Sequence, residues 1–275
     1  MRLEDIGLLT FLKMFLYGDP GSGKTTVLGT ALDDPRTTPL LWLNCGGNPE
    51  SIRRRTNLPP ILTIEATKDL GPVYSWLAKG QPLEHPFLVD NKLVDWFMGL
   101  PRVEGAVGGP VKCIVFDGWT EYQRIAVDEV AGNVKKFPGD TMNSIEIRHW
   151  GQALARLTKD VRLLYGLPNL HTLFTCLEKQ EQDQFTGQMS WGPSLWGQAK
   201  NEVPAYSLLT ARMVRRSKMP ATDRKEFASD AYSVLFVDQV GRFLAKDQYG
   251  GLPTHFEKPT ITGILDAIGG PNARP

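Results

Sequence analysis

Short, nearly continuous apolar runs alternate with longer amphipathic stretches along this chain. The runs fall at 14–17, 40–43, 61–64, 113–116 and 172–176. Runs this short, with both alternate positions apolar, read as strands buried on both faces, the habit of parallel sheets. Between the last two, the clearest helical pattern covers about 144 to 165, where Leu154, Leu157, Val161 and Leu164 recur on one face. Arg148, Lys159 and Arg162 project from roughly the opposite face, with Arg156 at its margin. That basic stripe is either a solvated outer face or a phosphate-facing one. Strands alternating with helices predict an α/β sandwich with right-handed crossovers.

The C-terminal part follows a different pattern. Segments 232–237 and 241–245 predict an antiparallel hairpin turning at Asp238-Gln239, and 259–268 predicts a closing helix. Two stretches resist regular assignment. Segment 99–110 is dense in Gly and Pro, hence a loop. Segment 178–204 is long and polar, with Gly187, Gly192, Pro193 and Gly197, and a loop of that length is usually functional or disordered. With no internal repeat and no clear linker, the pattern predicts one domain over 1–275. Within it, 80–110 reads as a variable insertion and 230–268 as a C-terminal hairpin and helix.

Composition narrows the class without naming a function. The 275 residues are 41% hydrophobic and 22% charged, which excludes wholesale disorder, a coiled coil or a fibre. With 31 Lys+Arg against 30 Asp+Glu the net charge is +1, so no uniform basic coat for nucleic acid is expected, although a local patch remains open. No apolar run approaches the ~18–20 residues of a membrane span. Met1-Arg2-Leu3-Glu4-Asp5 does not open a signal peptide. Cys45, Cys113 and Cys176 are sparse and odd in number, as in a reducing compartment. A cytoplasmic location with no membrane contact is the expectation. The four histidines show no zinc spacing.

One motif carries specific chemistry. Gly18-Asp19-Pro20-Gly21-Ser22-Gly23-Lys24-Thr25 fits G-x-x-x-x-G-K-[ST], between a predicted strand and a predicted helix. Its glycines permit the backbone conformations that turn successive N–H groups into one concavity for phosphate. The nucleotide-binding set is therefore Gly18 through Thr25 with the adjoining Thr26. Lys24 is expected on the β- and γ-phosphates of ATP, and the Thr25 hydroxyl on Mg²⁺. Cys113-Ile114-Val115-Phe116-Asp117 describes the companion strand, four apolar residues ending in an acid that holds Mg²⁺ through water. The residue that positions the attacking water is less legible. Gly118 follows Asp117, so there is no Asp-Glu pair. Glu65 after the third run and Glu121 one helical turn beyond Asp117 are the candidates, each with a bland reading as a surface or capping carboxylate.

These motifs, with Asp117-Gly118-Trp119-Thr120-Glu121-Tyr122, Trp150-Gly151, the stretch 167–176 and Ala245-Lys246-Asp247-Gln248-Tyr249-Gly250, resemble the phage nucleotide-binding AAA proteins with a RecA-like core. That group contains the Sak-four-type single-strand annealing proteins. The resemblance spans roughly 10–268. It implies a RecA-like P-loop NTPase, with a mainly parallel central sheet sandwiched by helices and a C-terminal antiparallel hairpin. It also implies an ATPase of a bacterial host's cytoplasm that assembles as a ring or filament. Single-stranded DNA and a single-strand binding protein are the implied partners. Lys246 stands where such assemblies reach a neighbour's γ-phosphate, but Gln248 replaces the expected Arg. The catalytic Glu expected just after Leu43 is likewise missing, since Asn44-Cys45-Gly46 follows. An arginine finger is worth ~10³–10⁵ in rate, so slow hydrolysis is the expectation.

The resemblance assigns DNA contact to a loop after the fifth run, here 178–204. It carries Phe185, Trp191 and Trp196 and leads into a basic stretch with Arg212, Arg215 and Arg216. Aromatic faces stack bases while cations follow phosphates. The bland alternative packs the tryptophans on the core and leaves the basic run solvated. A helicase or packaging motor, a small-molecule P-loop kinase with Arg212-x-x-Arg215-Arg216 as its lid, and a nucleotide switch without DNA remain the competing functions.

Overall fold

The computed structural model describes residues 11–46, 50–53, 55–79, 111–133, 143–182, 184–219, 221–227, 231–238 and 243–269. The strands are β1 (Lys13–Gly18), β2 (Leu40–Asn44), β3 (Ile61–Thr63), β4 (Cys113–Asp117), β5 (His171–Gln182), β6 (Met189–Pro193), β7 (Leu209–Arg215), β8 (Ser233–Phe236), β9 (Lys246–Asp247) and β10 (His255–Phe256). The helices are α1 (Lys24–Gly29), α2 (Glu50–Arg53), α3 (Leu70–Lys79), α4 (Trp119–Ala131), α5 (Ile147–Tyr165), α6 (Ala199–Ala205), α7 (Ala221–Arg224) and α8 (Ile261–Ile268).

Across the sheet the order is β10-β8-β7-β1-β5-β4-β2-β3, with β6 added to β5 and β9 to β7. The stretch from β3 to β7 is parallel throughout. β8 and β10 continue it antiparallel. This is the expected fold class: a mainly parallel sheet between helices, with antiparallel strands near the C-terminus. All five apolar runs are strands, and both cores show why they read as continuous. In β1, Phe15 and Tyr17 face a core formed with α3, α4, α5 and α6. Met14 and Leu16 face the opposite core, formed with α1 and α8. Period-two alternation is invisible when both faces are dry.

Two local expectations are revised. Segment 178–204 is not an irregular loop: β5 runs on to Gln182, returns antiparallel as β6, and is followed by α6. Its arms are polar on both sides, so no apolar alternation announces them. The 232–237 segment does form a strand, but β8 pairs with β7 and β10. Phe243 instead bridges to Trp191. The 80–110 insertion lies outside the described residues.

The basic stripe of α5 is largely engaged within the chain. Arg156 pairs with Glu129 at 2.7 Å, Arg148 with Glu146 at 3.0 Å, and Arg162 donates to the Tyr206 hydroxyl at 2.8 Å. The three cysteines are free and buried. Among the described residues no helix is long and apolar enough to cross a membrane.

Candidate nucleotide site

The parallel order brings the carboxyl ends of β1, β5, β4 and β2 to one edge, where ligands of open α/β sheets bind. Gly18 ends β1 and is followed by the loop that opens α1. Gly21 and Gly23 have φ of +70° and +96°, a region that penalises any side chain. Gly18 is needed for space, because a Cβ there would lie 2.3 Å from the Met213 carbonyl oxygen. Lys24 is folded back under the loop. Its Nζ donates to the carbonyls of Gly18 at 2.8 Å and Asp19 at 2.9 Å. Burial lowers the Lys24 pKa, while the nearby Cys176, Asp117, Asp19 and Glu178 oppose that shift. The ammonium is thus held close to the loop by groups that a triphosphate can replace.

Asp117 ends β4, separated from β1 by β5. The Thr25 hydroxyl donates to Asp117 Oδ2 at 3.0 Å. From β5, the Thr175 hydroxyl donates to Asp117 Oδ1 at 2.5 Å and accepts from the Gly118 N–H at 2.9 Å. Two elements, α1 and β5, therefore converge on the carboxylate that ends β4. Thr175 had no sequence signal beyond a hydroxyl near a strand end; its role follows from register, since it lies directly opposite Asp117. Gly118 has φ of +117°, and a Cβ there would sit 2.3 Å from the Cys45 carbonyl oxygen. Only glycine lets the chain turn from β4 into α4 that close to β2.

The oxygen pair of Thr25 and Asp117 suits a hard cation such as Mg²⁺, which binds through few protein oxygens and keeps water or phosphate as its other ligands. Among the described residues, no group of three or more His, Cys, Asp or Glu could hold a metal.

The two carboxylate candidates are placed differently. Glu121 leans from α4 over the carboxyl end of β2: a Cβ on Gly46 would meet its Cγ at 2.3 Å. Burial, with the Glu121 and Asp117 carboxylates near it, pushes the Cys45 thiol up to about 12. Glu121 also pairs with Arg124 at 3.0 Å. Glu65 is exposed beyond β3, four strands from β1, or roughly 19 Å at ~4.8 Å per strand. Its backbone N–H is held by Asp69. The structure does not bring Glu65 to the loop.

Lys246 lies at the opposite edge of the sheet. β9 pairs with the start of β7, with Lys246 opposite Thr210, whereas Gly18 is opposite Met213 near the far end of that strand. Its Nζ donates to the Ala205 carbonyl at 2.9 Å. It makes no approach to its own chain's phosphate loop.

The candidate DNA residues are separated. Phe185 is 99% exposed at the tip of the β5–β6 hairpin. Trp191 lies against the Arg212 guanidinium, 4.9 Å from its ring centre. Trp196 meets Trp150 edge-on at 4.4 Å. Arg212 forms a bidentate pair with Glu178 at 2.6 and 3.0 Å, in which both side chains are nearly buried. Arg216 donates to the carbonyls of Arg224 and Phe227. Arg215 donates to the carbonyls of Pro20 and Gly21 on the phosphate loop itself. Beside it, Lys218 pairs with Asp19 at 2.5 Å, and the Tyr232 and Ser233 hydroxyls donate to the Gly21 and Ser22 carbonyls. Sequence reasoning missed this rim, because its members are scattered between 215 and 233.

A phosphate loop on the first strand, with the acid that ends β4 one strand removed and in contact with Thr25, defines a P-loop domain. The profile of the family described as an AAA domain matches residues 10–226, and the chain belongs to that family. Among solved structures, the RadB recombinase is similar at 11% identity and a TM-score of 0.43, over 90% of this chain and 89% of that one. No protein of curated function matches the chain.

Proposed function

We propose that this chain is an ATP-binding, RecA-like phage recombination protein that hydrolyses ATP slowly with Mg²⁺, binds single-stranded DNA and promotes strand annealing. The observation that carries the nucleotide half is the convergence of Thr25 and Thr175 on Asp117 beside the Gly18–Thr25 loop. On ATP binding, Lys24 exchanges the Gly18 and Asp19 carbonyls for phosphate oxygens. Thr25 and Asp117 would hold Mg²⁺, whose charge would offset that of the phosphates. Thr175 fixes the orientation of the Asp117 carboxylate. Glu121 accepts a proton from the attacking water, entering from α4 where β2 lacks a carboxylate of its own. Lys246 serves a neighbouring subunit of a ring or filament, and a lysine in place of a planar, bidentate arginine is consistent with slow turnover.

The DNA half is supported by the β5–β6 hairpin. One strand carries Thr175 on the Asp117 carboxylate and then continues outward to the Phe185 tip. A change at the phosphates therefore has a rigid path to the hairpin. The kinase alternative is weakened because Arg212, Arg215 and Arg216 are engaged with Glu178 and backbone carbonyls.

Mg²⁺-dependent ATP turnover, measured with and without a single-stranded oligonucleotide, tests the reading together with annealing of complementary strands. Slow turnover, salt-dependent oligonucleotide binding and ATP-controlled annealing are expected. Fast turnover without DNA or a partner would sink the slow-ATPase reading. Translocation without annealing would favour a motor.

A further inference from the structure

The nucleotide reading leaves one end of the ligand unassigned, and this inference rests on that reading. Thr25 and Asp117 fix where the terminal phosphates lie: on the β5–β4 side of the loop. The nucleoside end must leave in the other direction, across β1 toward β7 and β8. That side of the loop holds Tyr232 and Arg215. Tyr232 is 64% exposed, yet its hydroxyl and one face of its ring are both engaged. Its hydroxyl donates to the Gly21 carbonyl at 3.0 Å, and the Arg215 guanidinium lies over one face of the ring, 5.6 Å from its centre, which leaves the other face for a ligand. Arg215 itself is held against the loop, so close that a Cβ on Gly21 would be 2.2 Å from its Nη2. Among the described residues, Arg215 Nε has no hydrogen-bond partner.

Here a ring is immobilised at the rim of a phosphate loop, with a cation behind it. We propose that Tyr232, braced by Arg215, is the platform on which the base of the bound nucleotide stacks. Stacking reads a π-face and tolerates any base, so the platform selects for ring size rather than for a hydrogen-bonding edge. Purine nucleotides are bound more tightly than pyrimidine ones, and ATP and GTP are bound alike.

Equilibrium binding of fluorescent ATP to the full chain, with tripolyphosphate as competitor, tests this directly. Tyr232→Ala is expected to weaken ATP and GTP about tenfold, within the range that base–aromatic stacking gives on alanine substitution. Tripolyphosphate, which has no base, should compete against both proteins with unchanged affinity. Tyr232→Phe keeps the ring but loses the brace of its hydroxyl, and should weaken ATP far less than Tyr232→Ala does. Unchanged ATP affinity in Tyr232→Ala overturns the platform, as does an equal loss for tripolyphosphate. A loss in Tyr232→Phe as large as in Tyr232→Ala also overturns it, because the hydroxyl's hold on Gly21 would then be what matters. A parent chain that binds neither ligand overturns the nucleotide reading, and the platform with it.

Discussion

The phosphate loop at 18–25 and the basic stretch at 200–225 both look like anion sites in sequence, and they use their cations in opposite ways. In the loop, Lys24 is bound only to carbonyl oxygens that a phosphate can replace. In the basic stretch, most cations already have committed partners. Arg212 holds Glu178, Lys200 holds Glu181, Lys218 holds Asp19, and Arg216 and Arg224 tie carbonyls of their own segment. A net charge of +1 therefore does not show which cations are available: the loop keeps its charge free for a ligand and the stretch engages most of its own internally. Counting cations in a window does not separate these cases; their acceptors do.

The largest effect expected from this contrast is on stability. Arg212→Ala leaves Glu178 buried without its partner, which should cost about 3–5 kcal/mol. Urea unfolding would show a lowered midpoint, and replacing both residues together by apolar ones should restore part of it. A phosphate-tracking arginine on a free surface would instead leave the midpoint alone and weaken DNA binding. Lys24→Ala should do the reverse. It leaves no charged partner unpaired, since Lys24 is held only by the Gly18 and Asp19 carbonyls, so the fold stays intact by circular dichroism. Turnover should fall about 10²–10³-fold, as for loss of one preorganised donor to transition-state charge.

The same contrast explains what could be read in advance. The five strands, α5 and α8 were legible because each presents apolar residues at a period or in a run. The Gly18–Thr25 motif was legible because its spacing is itself a geometry. Thr175 was not, since its function comes from lying opposite Asp117 on a neighbouring strand, and register is a property of the sheet. The rim of Arg215, Lys218, Tyr232 and Ser233 was not, since four side chains reach one loop from across β7 and β8. The β5–β6 hairpin read as a loop because both its faces are polar. Glu65 and Glu121 were equal in sequence; strand order alone separates them.

Thr175 is the test of how much the strand between the two motifs contributes. Thr175→Val keeps the shape of the side chain while removing a donor to the Asp117 carboxylate and an acceptor for the Gly118 N–H. A buried hydrogen bond to a charged group is worth about 1.5–3 kcal/mol, or roughly ten- to a hundredfold. That loss should be seen in turnover and as a higher Mg²⁺ requirement, with nucleotide binding in the absence of Mg²⁺ little changed. An effect equal with and without Mg²⁺ would mean that Thr175 supports the loop rather than the Asp117 carboxylate.

The smallest expected effect sharpens the comparison from the other end. If the basic stretch spends its cations internally, single-stranded DNA must rely on what is left exposed, and Phe185 at the hairpin tip is the most exposed large hydrophobic side chain among the described residues. Phe185→Ala should weaken oligonucleotide binding by about 1–3 kcal/mol per stacked base. It should leave unfolding and ATP affinity unchanged, because the tip packs on neither core. The salt dependence should also be unchanged, since the slope of log K against log salt counts phosphates neutralised and not bases stacked. A drop in that slope would show that the substitution had displaced cations, and hence that the basic stretch contributes more to DNA than its internal partners allow.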